Sequence, residues 1–163
     1  MTPHLPPPGR QTGSTLLENL IALLIFSMGI LAIVGMQGSA VKASSDAKYR
    51  SEASMLANEL IGRMWVSDRT QATLQAAFAN PNGIAYKAWA WVGTGATAGT
   101  QSVPAAGTVL YTLPGAQASP PAVIITPVTT TSLSSSLVTV TIYWQTPNET
   151  TGHNFVAVAQ IGG

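Results

Sequence analysis

Between Asn19 and Val41 the chain carries no charged side chain, and from Leu20 to Met36 nearly every position is apolar, with Ser27 the main polar interruption. An α-helix rising ~1.5 Å per residue needs about 20 such residues to cross the hydrocarbon of a bilayer. This run is long enough. Three fates compete for it: a buried core helix, a cleaved secretory signal and a retained membrane anchor. A core helix fits poorly, because the run is apolar all round and lies where no earlier element is expected to surround it. A secretory signal has something to offer, since Gly38-Ser39-Ala40 supplies small residues for a signal peptidase and would leave Val41 as the mature start. The length of the run and the acid Glu18 at its head argue against that reading.

The residues just upstream separate anchor from signal. Gly13-Ser14-Thr15-Leu16-Leu17-Glu18 leads directly into the apolar run. Glycine, a variable residue, threonine, two aliphatics and glutamate at the head of an apolar helix resemble the cleavage and assembly motif of type IV prepilins. Leu20, Ala22, Leu23, Gly29, Leu31 and Gln37 continue the resemblance. It implies cleavage by a prepilin peptidase on the cytoplasmic side, between Gly13 and Ser14, followed by N-methylation of Ser14. The leader Met1–Gly13 would be lost, and its Pro6-Pro7-Pro8 run fits an extended segment that a protease can grip. Where the family has Phe as first mature residue, this chain has Ser14. Counting cations alone would orient the segment the other way, since Arg10 and the terminal amine face Lys42, Lys48 and Arg50; the motif is taken to override that count.

Glu18 is the candidate docking residue. A carboxylate at the end of an apolar span costs a few kcal/mol to hold in hydrocarbon, so such an acid calls for a partner. The resemblance supplies one: the N-terminal ammonium of a neighbouring subunit, here on Ser14, met as helices bundle into a filament core. Each charge is tolerable there only when the other is near, which makes the pair a check on register. The plain alternative places Glu18 at the head-group boundary, favoured by the positive end of the helix dipole.

Beyond the span the helix is expected to continue to about residue 66. Ala53, Leu56, Leu60 and Met64 recur at three- and four-residue steps, with Ala57 and Trp65 widening the stripe. Asp46 with Arg50 and Glu59 with Arg63 have the favourable spacing for ion pairs on a solvated face. A helix from Thr15 to Trp65 would be roughly 75 Å long. A short second helix is expected from Arg69 to Ala79, stopped by Asn80-Pro81-Asn82-Gly83. Strands are expected at Ile84–Val92, Thr108–Leu113, Ala122–Thr126, Leu137–Trp144 and Phe155–Ile161. In the fourth, Val138, Val140, Ile142 and Trp144 alternate with Thr139, Thr141 and Tyr143. Gln145–Asn154, with Pro147, Asn148 and Gly152, reads as the turn between the last two strands, and Gly93–Gly107 and Leu113–Pro121 as loops. Trp89 and Trp91 would share one strand face, packing in the core or binding glycan or another subunit.

These readings combine into an α+β fold: a long N-terminal helix, membrane-spanning in one half and amphipathic in the other, packed on a C-terminal antiparallel sheet. The expected organisation is leader 1–13, membrane or filament-core helix 14–41 and extracytoplasmic head 42–163. Charged residues make up 8% of the chain and the formal net charge is +1, which removes the basic footprint of nucleic-acid binding. From Ala88 to Gly163 the one formal charge is Glu149. So few titratable groups point away from an enzyme and from any cofactor, and His4 and His153 have no ligand-spaced companions for a metal. The absence of cysteine removes thiolate chemistry.

Within the prepilin family the motif and the strand Val138–Gln145 resemble the minor pilins. The partners implied are major and minor pilins, the prepilin peptidase, the inner-membrane pilus assembly machinery and, before assembly, membrane lipid. A pseudopilin of type II secretion and a secreted β-rich protein are the alternatives. Mass spectrometry of the membrane-extracted protein checks the motif directly. A methylated chain starting at Ser14 is expected, and a start at Val41 would instead mark an ordinary secretory signal.

Overall fold

The computed structural model describes residues 14–92, 104–130, 133–147 and 149–162. The expected leader Met1–Gly13 and residues 93–103 of the expected loop lie outside the described residues. The elements in order are helix α1 (Ser14–Val66), α2 (Gln71–Phe78), α3 (Ile84–Lys87), a π-helical turn (Ala88–Val92), α4 (Val109–Thr112), and strands β1 (Ala122–Thr130), β2 (Leu133–Trp144) and β3 (His153–Gly162). The strands form one antiparallel sheet in the order β1-β2-β3. This is the α+β, pilin-like arrangement expected of the chain. Its described residues fall into two compact units that divide between Ala43 and Ser44.

In the second unit, α1 buries Ala53, Leu56, Ala57, Leu60 and Met64. Those positions recur every three or four residues and so lie on one face. From the sheet come Val123, Ile125, Val138, Val140, Ile142, Trp144 and Ile161, all joined with the helix residues in one core cluster. Alternation makes this possible: Val138, Val140, Ile142 and Trp144 turn to the core, and the residues between them turn away. Register then places Ile161 of β3 opposite Ser136, Ala157 opposite Val140 and Phe155 opposite Ile142. The outward face is uncharged and leaves Ile124, Val156 and Val158 exposed.

Between α1 and the sheet, the chain from α2 to α3 covers the free edge of β1. The Val123 amide donates to Asn80 Oδ1 at 3.0 Å, and Gln75 Nε2 donates to the Ile125 carbonyl at 3.1 Å. An edge whose backbone groups are taken up in this way is a poorer template for stray pairing. Pro127 sits in this same edge strand, where a residue without an amide proton is tolerated. Tyr86 is buried and donates its hydroxyl to the Pro121 carbonyl at 2.6 Å, and burial pushes its phenol above the ordinary 10.0. Three of the described glycines are required by contact or conformation, among them Gly107 with φ of 84°. A Cβ on Gly83 would lie 2.4 Å from the Ala77 carbonyl oxygen, and Gly115 has φ of 73° with Gln145 Cβ only 2.9 Å from where a side chain would begin.

Several expectations are corrected. The second helix is the shorter Gln71–Phe78, and β1, β2 and β3 extend beyond the expected strands. Ile84–Val92 is helical, one α-turn continuing into a π-turn, and Thr108–Leu113 holds the short helix α4. The alternation Ala88-Trp89-Ala90-Trp91 imitates a strand, but tertiary contact decides its conformation. Trp89 is 2% exposed and its indole nitrogen donates to the Leu56 carbonyl of α1 at 3.0 Å, whereas Trp91 is 39% exposed. The two rings therefore do not share a face. Trp65 is also 47% exposed, because the core stripe of α1 ends at Met64. Of the two anticipated ion pairs, Arg63 and Glu59 meet at 2.5 Å, while Asp46 lies against His153.

The helical reading of this segment has a measurable consequence. Trp89→Phe is expected to lower unfolding stability by about 2 kcal/mol, through lost packing and a lost hydrogen bond. Trp91→Phe should cost under about 0.5 kcal/mol. Denaturant unfolding of both variants in detergent checks the contrast, and equal losses would restore the strand reading.

Candidate functional site

Every residue from Ser14 to Ser44 is exposed in the structure, including Leu31 at 73% and Met36 at 75%. This stretch of α1 is long and apolar enough to cross a membrane. It forms a regular helix because its aliphatic residues tolerate one well and, with no proline inside it, the amides beyond the first turn can each pair with a carbonyl one turn back. Within Leu20–Met36 the sole polar side chain, Ser27, donates to the Leu23 carbonyl at 2.7 Å. That hydroxyl is satisfied inside the helix and asks nothing of lipid or a neighbour.

Glu18 is different. It stands one turn after Ser14 on the same helix face, along a shallow surface lined by Ser14, Leu17, Glu18, Ile21, Ala22 and Ile25. Among the described residues no cation or donor side chain meets its carboxylate. A charge in such surroundings is stable only at a polar boundary or beside a cation brought from elsewhere. Gly13, on the other side of the expected cleavage point, lies outside the described residues.

The apolar helix and its acid match what is found by comparison. Residues 8–34 match the family model described as the prokaryotic N-terminal methylation motif. The chain thus carries a type IV prepilin-like N-terminus. No curated protein and no solved structure matches the chain significantly. The motif fits anchoring in a membrane before assembly, processing by a prepilin peptidase and packing with other pilins, the work of a structural subunit of pilin or pseudopilin type. It covers the head of the helix and leaves residues 35–163 to be read from their own chemistry.

In that remainder the structure assembles a cluster that sequence spacing did not reveal. His153, at the start of β3, stacks on Trp144 with ring centroids 5.8 Å apart and planes 14° from parallel. Its Nε2 lies 2.8 Å from Glu149 Oε2, and its Nδ1 lies 3.4 Å from Asp46 Oδ1 on α1. The four-residue step from Glu149 to His153 was visible in the chain; the approach of Asp46 depends on the fold. The two carboxylates sit on opposite ring nitrogens and do not converge on one point. Among the described residues no group of three or more His, Cys, Asp or Glu is placed to hold a metal ion.

Proposed function

We propose that the chain is a minor pilin of a type IV pilus, cleaved between Gly13 and Ser14, methylated on Ser14 and docked through Glu18 during assembly and initiation of the filament. The observation that carries this reading is the methylation motif lying at the head of a helix whose large apolar side chains from Leu16 to Val41 are exposed. The subunit waits in the inner membrane as a single-pass protein, with residues 14–41 in lipid and residues 42–163 as the extracytoplasmic head. Assembly exchanges lipid for the helices of other major and minor pilins. Since lipid tails are as apolar as leucine, hydrophobicity gives little preference between the two states. A directional contact is needed to choose one register, and the Ser14 ammonium against a neighbour's Glu18 provides it.

Within the pilins, Val138-Thr-Val-Thr-Ile-Tyr-Trp-Gln145 together with the N-terminal motif resembles the type IV pilus modification protein PilV; a pseudopilin of type II secretion shares the processing motif and is told apart by genomic neighbourhood or deletion phenotype. The uncharged outer sheet face, with Ile124, Val156 and Val158 exposed, suits a head packed among others.

Glu18→Ala and Glu18→Asp test the docking role. The Ala variant should be processed normally yet enter sheared filaments at least about tenfold less, the equivalent of about 1.4 kcal/mol. Asp, one methylene shorter, should fall between Ala and the parent. Unchanged incorporation of both variants would contradict the role.

A further inference from the structure

The cluster at His153 joins two parts of the head that are distant in sequence. One arm is the β2–β3 connection, organised around Glu149: the Thr146 hydroxyl donates to Glu149 Oε2, and Gln145 Nε2 donates to the Glu149 carbonyl at 2.7 Å. The other arm is Asp46, near the start of the second unit on α1. The imidazole lies between them, its plane held by stacking on Trp144.

Carboxylates only accept hydrogen bonds, and a neutral imidazole has one N–H and one lone pair. Two ionised carboxylates on opposite ring nitrogens are therefore both matched only when the ring is cationic. In the neutral ring the single proton belongs on Nε2, where the 2.8 Å contact to Glu149 is shortest, and Nδ1 then turns a lone pair toward Asp46. Asp46 Oδ1 is buried and makes no hydrogen bond, and the ring nitrogen 3.4 Å away matches it only when that nitrogen carries a proton.

We propose that His153 is a protonation-dependent latch which, as imidazolium, fastens the β2–β3 connection to α1 at Asp46 and, on losing its proton, releases the Asp46 arm while keeping Glu149. The charged and titratable groups around it are few. On α1 they are Asp46 itself, with Lys42 and Arg50 one turn to either side, Tyr49 packed against the core and Lys48 paired with Glu52 at 3.9 Å. From the connection comes Glu149, and from β2 comes Tyr143, which lines the same small hollow of about 180 Å³ as Trp144 and His153. The sign follows from the bound proton: the closed form is favoured on the acid side and loses that advantage as pH rises.

Hydrogen exchange of the full-length processed protein in detergent, read over residues 145–152 and corrected for intrinsic rates, tests the latch at about pH 5.5 and about pH 8. The parent should lose protection by about threefold to fivefold at the higher pH, the size of a part-exposed ion pair. Asp46→Asn turns the carboxylate arm into an amide that can donate to a neutral ring, and its protection should be the same at both pH values. His153→Gln should be poorly protected at both. A purely packing role for His153 predicts pH-independent protection in the parent, and that result, or an Asp46→Asn response equal to the parent's, would overturn the latch.

Discussion

An apolar helical stretch that no described residue covers sets the terms for this protein. From Leu16 to Val41 the large aliphatic, aromatic and methionine side chains are at least 44% exposed. At about 25 cal/mol per Å² of apolar surface, leaving such a stretch in water would cost more than a small head domain can offset. The segment therefore fits a place in lipid or among other helices. In either setting its backbone is satisfied internally and Ser27 bonds to its own helix, which leaves Glu18 as the group whose energy depends most on what is nearby. On the proposed docking role, a filament built from such helices would gain adhesion from packing and alignment from that one charge.

The head shows how the same helix serves a second purpose once its composition changes. Past Ser44, polar and charged residues enter α1, and Ala53, Leu56, Ala57, Leu60 and Met64 form its buried stripe. Small alanines in that stripe allow close approach, and the larger residues interlock with Val138, Val140 and Ile142 of the central strand. Trp89 adds a polar tie by donating to the Leu56 carbonyl from a segment outside the sheet. The core is thus a helix-on-sheet layer, with α2, α3 and the π-turn closing one edge. Charge is almost absent from the sheet side, and the acid and histidine present there, Glu149 and His153, are in contact with each other.

What could be read from the chain alone followed the strength of its local patterns. The apolar span, the amphipathic stripe and the strict alternation of Val138 to Trp144 each repeat long enough to set helix or strand. The motif around Ser14 and Glu18 was legible because its residues are close in sequence, and the roles proposed for the two rest on it. Where patterns were short they misled. Ala88-Trp89-Ala90-Trp91 alternates by composition, yet one indole is drawn to a helix carbonyl and the other is left near solvent. Thr108–Leu113 has strand-forming residues, but its Val109 and Leu110 reach the core from a single helical turn. Asp46 beside His153 was invisible, because nothing in the chain announces a contact made only when α1 and the β2–β3 connection fold together.

The lack of any native cysteine allows the central claim to be tested without background. Single cysteines at Leu31 in the apolar helix and at Thr126 on the exposed face of β1 can be challenged, in intact membranes and in sheared filaments, with a maleimide that does not cross lipid. Thr126→Cys should label readily in the membrane, and Leu31→Cys should stay unlabelled in both settings until detergent is added. Labelling of Leu31→Cys as fast as Thr126→Cys, with no detergent present, would show that the apolar helix lives in water and would contradict the account.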